Sequence, residues 1–239
     1  MTPFRWRNCM ADVHAYRHDY TVQAYVEDVV APAVATLEAK IEELGRSDCG
    51  PSPFAQADLK NMLRETMLAF GLSIQSIWER QLRTYLMGCA SELRPGEPVA
   101  AKLEKADWSG LCKWFRKLRG IDLEAFPSFP TLDTLQLLGN ACRHGDGKSA
   151  TELSLRHPEL WPVIPPMPEG FGVSPSLPPS VSRMEVSVEW LRDFAKAIAA
   201  FWRDAEYIYN ESIERKDPRL EARLIRERAE RSWLPQAST

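Results

Sequence analysis

Asn140 and His144 stand four residues apart in Asn140-Ala-Cys-Arg-His144-Gly-Asp-Gly-Lys148, a stretch that brings an amide, a guanidinium and an imidazole together. An imidazole titrates near neutrality, so it can take or give a proton at a reacting oxygen, and an amide beside it can orient either partner. Proton transfer is therefore one reading of the stretch. A well-capped helix end is the other.

Both readings need a helix. From Leu132 the apolar positions Leu132, Leu135, Leu138 and Cys142 recur at helical spacing, while Asp133, Gln136, Asn140 and His144 form a polar stripe. The pattern predicts a helix over Thr131–His144 with Thr131 as its cap. Gly145 then falls where a left-handed residue closes a helix, leaving His144 at the negative end of the helix dipole, where the charged imidazolium is favoured.

The same period organises most of the 239 residues. Val26, Val34, Leu37, Ile41 and Leu44 mark a helix between Val22 and Leu44, which Pro32 either kinks or begins; Gly45 and the Ser47–Pro53 cluster end it. A second, central helix runs from Phe54 to Gly88 on one unbroken apolar stripe. After the Arg94–Pro98 turn, a third extends from Val99 to Leu118 with a possible break near Asp107–Gly110. Pro127 and Pro130 separate it from the Thr131–His144 helix, and a short helix spans Ser149–Arg156. Pro158–Pro179 holds eight prolines and reads as an extended surface connection. The alternation Val181, Arg183, Val186, Val188 suggests one short strand without an evident partner. Ser187 caps a final core helix through Tyr209. The tail, Glu214–Arg231, carries seven basic and five acidic residues and reads as a solvated helix with i,i+4 ion pairs. The expected architecture is all-α, with residues 1–212 forming a single helical-bundle domain and residues 213–239 a charged C-terminal helix or tail.

Composition narrows the chemistry. A formal net charge of -3 provides no global field for a polyanion, so nucleic-acid binding would rest on a local patch. The five cysteines are odd in number and irregularly spaced without a CxxC pair, and read as reduced, mostly buried thiols. His14 and His18 lack a third ligand, and His157 precedes Pro158, a loop or helix-end position. No metal site and no Glu-x-x-His pair is expected. Glycine-rich nucleotide loops and a Gly-x-Ser-x-Gly elbow are absent. Gly145-Asp-Gly-Lys148-Ser149 follows a helix rather than a strand, so it reads as cap, turn and new helix start. In the second helix, Glu79 pairs with Arg83 at i,i+4; alternatively Glu79, Arg80 and Arg83 line a groove facing the Asn140/His144 helix. With no hydrophobic leader and no membrane-length apolar run, a soluble, cytoplasmic protein is expected.

The segment Leu138-Gly-Asn-Ala-Cys-Arg-His-Gly-Asp-Gly-Lys-Ser-Ala150, together with Trp78-Glu-Arg80 and Phe201-Trp202, resembles the HEPN superfamily of small helical bundles over about residues 55–210. The family pattern is an arginine, a polar residue that is often asparagine, three variable residues and a histidine. Asn140 and His144 occupy the polar and histidine positions, and Gly145 matches a frequent following glycine. The arginine position is 139, where this chain has Gly139. The resemblance implies a homodimer and a metal-independent, cofactor-free endoribonuclease, or an RNA-binding component, of a toxin–antitoxin or antiphage system, with an antitoxin or defence protein as partner. Catalysis would then fall to His144, Asn140 and Arg143. Arg80, Arg83 and Lys148 would bind the RNA phosphates, and Glu79, Gly145 and Asp146 would have structural or orienting roles. The alternative is a non-catalytic bundle of the same family, an interaction or regulatory protein.

Overall fold

Pro32 lacks the N–H that a helix needs, and its ring crowds the carbonyl four residues before it. The chain accommodates this with a widened, π-helical turn over Val26–Val30, so that α3 (Ala31–Gly45) continues the helical course of α1 (Met10–His14) and α2 (His18–Tyr25). The computed structural model describes residues 3–46, 51–162 and 180–236. Most of the proline-rich connection, residues 163–179, and most of the Ser47–Pro53 cluster lie outside the described residues.

Every regular element among the described residues is helical. After α3 come α4 (Ser52–Leu93), α5 (Val99–Glu104), α6 (Trp108–Arg119), α7 (Phe129–His144), α8 (Lys148–Arg156), α9 (Val188–Ser212) and α10 (Pro218–Glu230). The break between α5 and α6 is real: Asp107 caps α6 by accepting from the Gly110 N–H at 2.7 Å. Gly120, at φ 72°, ends α6 in the left-handed region.

Two local expectations change. Thr131 is not a cap, because α7 starts at Phe129 and the Ser128 carbonyl already accepts from the Leu132 N–H. Val181–Val188 forms no strand; a 3₁₀ turn over Val181–Arg183 is followed by extended chain, tied by a Glu185 N–H to Leu160 carbonyl bond of 2.7 Å. A single strand without a neighbour leaves its ladder groups unpaired, and a turn satisfies them locally. Ser187 accepts from the Trp190 N–H at the start of α9.

The helices fall into two compact units. The first comprises Met1–Gln23, Ile77–Leu132 and Ala195–Thr239, the second Ala24–Ser76 and Asp133–Phe194. In the first, Trp78 and Phe201 meet edge-on with centroids 4.9 Å apart, and Phe126 lies 4.8 Å from Phe201. These rings form the middle of that core. In the second, Val26, Val30, Ile74, Leu135, Leu138, Leu153 and Leu191 are all buried.

The tail helix α10 is docked rather than solvated. Leu224 is buried, Arg228 grips Glu211 of α9 with Nε–Oε1 2.6 Å and Nη2–Oε2 3.0 Å, and Arg231 reaches Asp204 at 2.5 Å. The arginines thus pair across helices, which helical spacing alone cannot reveal. Burial opposes ionisation of Glu211, but the bonds from Arg228 and the nearby Lys216 charge outweigh it and hold the carboxyl below its ordinary range. The resulting stability is present above the unfolded carboxylate pKa and is lost as pH falls through the lower folded value. Glu211→Gln is expected to raise amide exchange in α10 at neutral pH by about tenfold or more. The variant should also lose the acid-induced release of α10 expected of the unaltered chain.

Candidate functional site

The motif helix end belongs to the second unit, and its geometry starts at Gly139. A Cβ there would lie 2.5 Å from Gln75 Cγ and 2.8 Å from Gln75 Cβ, so only a hydrogen allows α7 to lie this close to α4. Gln75 is fully buried. Its Nε2 donates to Gln136 Oε1 at 3.0 Å, and Arg143 Nη2 donates to Gln75 Oε1 at 3.0 Å. Gln136, Gly139 and Arg143 recur at three- and four-residue steps, so they share the α7 face turned to α4. Arg143 is consequently tethered by one amino group, although the residue remains exposed.

Asn140 and His144 lie on the neighbouring stripe. Asn140 is half-buried and His144 exposed, and among the described residues neither has a hydrogen-bond partner. Gly145 adopts φ 70° and its N–H closes the helix on the Ala141 carbonyl at 2.8 Å. Asp146 Oδ1 accepts from the Val181 N–H at 2.7 Å, fixing the end of the helix to the segment leading to α9. Lys148 opens α8 as an exposed cation with no ion pair among the described residues.

A cavity of about 510 Å³ adjoins this helix end, lined by Glu65, Leu68, Leu72, Cys142, Asp146 and Ser182 among others. Its lining includes neither Asn140 nor His144. Among the described residues two carboxylates and no cation line it, a field that disfavours a phosphate. Burial, reinforced by the Glu65 charge, pushes the Cys142 thiol up to about 12, so that sulfur is not a nucleophile at neutral pH.

Arg80, Arg83 and Glu79 belong to the first unit. Arg83 donates to Glu79 at 2.7 Å, to the Ala106 carbonyl at 2.9 Å and to the Leu103 and Glu104 carbonyls. Its guanidinium closes the open end of α5, and Glu79 holds it there. Arg80 is exposed and has no ion pair among the described residues. Comparison with family models, with curated proteins and with solved structures gives no match for this chain.

Two of the other three histidines, His157 and His18, have structural surroundings. His157 lies 3.1 Å from Thr134 Oγ1 and edge-on to Trp190, and His18 packs edge-on to Trp202. Among the described residues no group of three or more His, Cys, Asp or Glu is placed to hold a metal ion. No helix among them is long and apolar enough to cross a membrane.

Two features escape a reading by motif. One is a second cavity of about 680 Å³ in the second unit, where Glu27 and Arg192 pair and Lys60, Arg64, Val34 and Met67 form part of the lining. The other is a buried cluster in the first unit: Asp12, Tyr85, Arg119, Cys9 and Cys89. Arg119 is one turn beyond Phe115 and two beyond Leu111, and that placement on an apolar stripe is the signal that identifies it as an interior cation.

Proposed function

We propose that this chain is an HEPN-like helical bundle acting as a non-catalytic interaction or regulatory component of a toxin–antitoxin or antiphage defence system, in the cytoplasm and as a homodimer. The supporting observation is the contact at Gly139. The family's arginine position faces the buried Gln75 side chain, leaving no room for a guanidinium, and the nearby Arg143 is bonded to that same glutamine. A phosphoryl-transfer centre needs positive charge aimed at the developing oxyanion.

A second reading, a metal-independent endoribonuclease, draws on a different observation: His144 is exposed and unpaired among the described residues, with Asn140 one turn before it and Arg143 and Lys148 at the same helix end. His144 would then move the proton of the 2′-hydroxyl or of the leaving oxygen.

One experiment separates the two. The purified chain and His144→Ala are incubated with RNA in EDTA, and the products are resolved on a denaturing gel. The expected result is no cleavage by either protein. Degradation that His144→Ala lowers by about 10²-fold or more would establish the endoribonuclease instead.

A further inference from the structure

The first unit holds two thiols that neither functional reading uses. Cys9 precedes α1 and Cys89 lies in α4, and their sulfurs are 3.4 Å apart. The close approach has a local cause: a Cβ at Gly88 would lie 2.9 Å from Ala11 Cβ, so the absent side chain lets α1 settle against α4. Forming a disulfide requires the sulfurs to close by about 1.4 Å, to a bond of about 2.05 Å.

The surroundings suit oxidation chemistry. Arg119 Nη1 lies 3.7 Å from both sulfurs, a fixed positive charge that favours a thiolate on either. The hydrogen bond between Cys9 and Cys89 is the largest influence holding the Cys9 thiol below its ordinary value; burial and the Asp12 charge oppose it, and Arg119 assists. Cys89 is pushed far up by its bond to Cys9 and by burial, so it stays protonated. Cys9 is 8% exposed and Cys89 fully buried, so a small oxidant meets Cys9 first. Charge balance also permits the product. With both sulfurs uncharged, as thiols or as a disulfide, Asp12 and Arg119 neutralise one another, so the oxidised form introduces no uncompensated buried charge.

We propose that Cys9 and Cys89 form a reversible, peroxide-oxidised dithiol–disulfide site that staples the N-terminal segment to α4. The Cys9 thiolate attacks one oxygen of hydrogen peroxide, forming an S–O bond as the O–O bond breaks, and the departing hydroxide takes up a proton to leave as water. Cys89 Sγ then attacks Cys9 Sγ. The S–S bond forms, the S–O bond breaks, and the leaving hydroxide carries off the Cys89 proton as water. Two thiols and one peroxide become one disulfide and two waters, and an external dithiol reverses the change.

The test uses the folded full-length chain treated with hydrogen peroxide, followed by alkylation in denaturant and peptide mass spectrometry. Of the five cysteines, two are expected to escape alkylation and to appear as one Cys9–Cys89 linked peptide, which dithiothreitol abolishes. A Cys49→Ser/Cys112→Ser/Cys142→Ser variant, which leaves the pair untouched, should form the same link. Cys9→Ser should form none while keeping its helical circular dichroism. The proposal is overturned if both thiols remain alkylatable after peroxide has oxidised the exposed Met62, if Cys9 stops at sulfinic acid without linking, or if the linked peptide joins other cysteines.

Discussion

Arg119→Met is expected to lower the unfolding free energy by about 3–5 kcal/mol, among the largest effects of any single substitution in this chain. Arg119 Nη2 lies 2.7 Å from Asp12 Oδ1, and the two side chains are 0% and 2% exposed. The guanidinium also covers the Trp6 ring at 3.8 Å and donates to the Arg7 carbonyl. Methionine would fill much of the volume but strand the Asp12 carboxylate, which would retain the Tyr85 hydroxyl at 2.8 Å, the Cys9 N–H at 2.9 Å and the Cys9 thiol at 3.5 Å. Three neutral donors do not replace a buried cation. Urea denaturation of Arg119→Met, Asp12→Asn and the double variant measures the coupling. The double variant should recover part of the loss, because it removes both charges. A loss below about 1 kcal/mol in Arg119→Met would mean that the pair is solvated rather than buried.

This cluster also shows where a linear reading stops. Helical period alone located α4, α7 and α9 to within a few residues, because a stripe of Leu, Phe and Trp must be buried whatever it meets. Ser187 and Gly145 were legible as ends for the same local reason: a side-chain acceptor and a left-handed backbone act within one turn. The docking of α10 was not, since Arg228 and Glu211 are 17 positions apart and i,i+4 pairs within the tail offered a competing account. Nor was the strand near Val181 distinguishable from a turn, because alternation specifies a strand only where an edge exists to receive it. At the motif itself, the shared stripe of Asn140 and His144 follows from their spacing. What Gly139 does depends on Gln75, a residue of another helix. A glycine in a helix can signify a loss, a kink or a contact, and only the opposing surface decides which.

That contact makes Gly139→Arg the second large effect. Placing at 139 the arginine of the HEPN pattern that the sequence resembles is expected to destabilise the chain by about 3 kcal/mol or more and to confer no ribonuclease activity. The first carbon of any side chain at 139 meets Gln75 Cγ at 2.5 Å, Cβ at 2.8 Å and Cδ at 2.9 Å, so α7 must move or Gln75 must leave its bonds to Gln136 and Arg143. Gly139→Ala isolates the steric part. Alanine favours a helix over glycine by about 1 kcal/mol, yet the overlap should reverse the sign and give a net loss of about 1–2 kcal/mol. Pairing it with Gln75→Ala removes Cγ and Cδ and leaves only the Cβ contact at 2.8 Å, so the double variant should be more stable than the sum of the single effects predicts. Denaturant unfolding of the four proteins checks the cycle, and far-UV circular dichroism confirms that each is helical. If Gly139→Arg kept the parent's stability and cleaved RNA in EDTA, the position would face solvent beside His144. Gly139 would then be no requirement of packing. The contact with Gln75 predicts the opposite: the glycine is a requirement of how α7 packs.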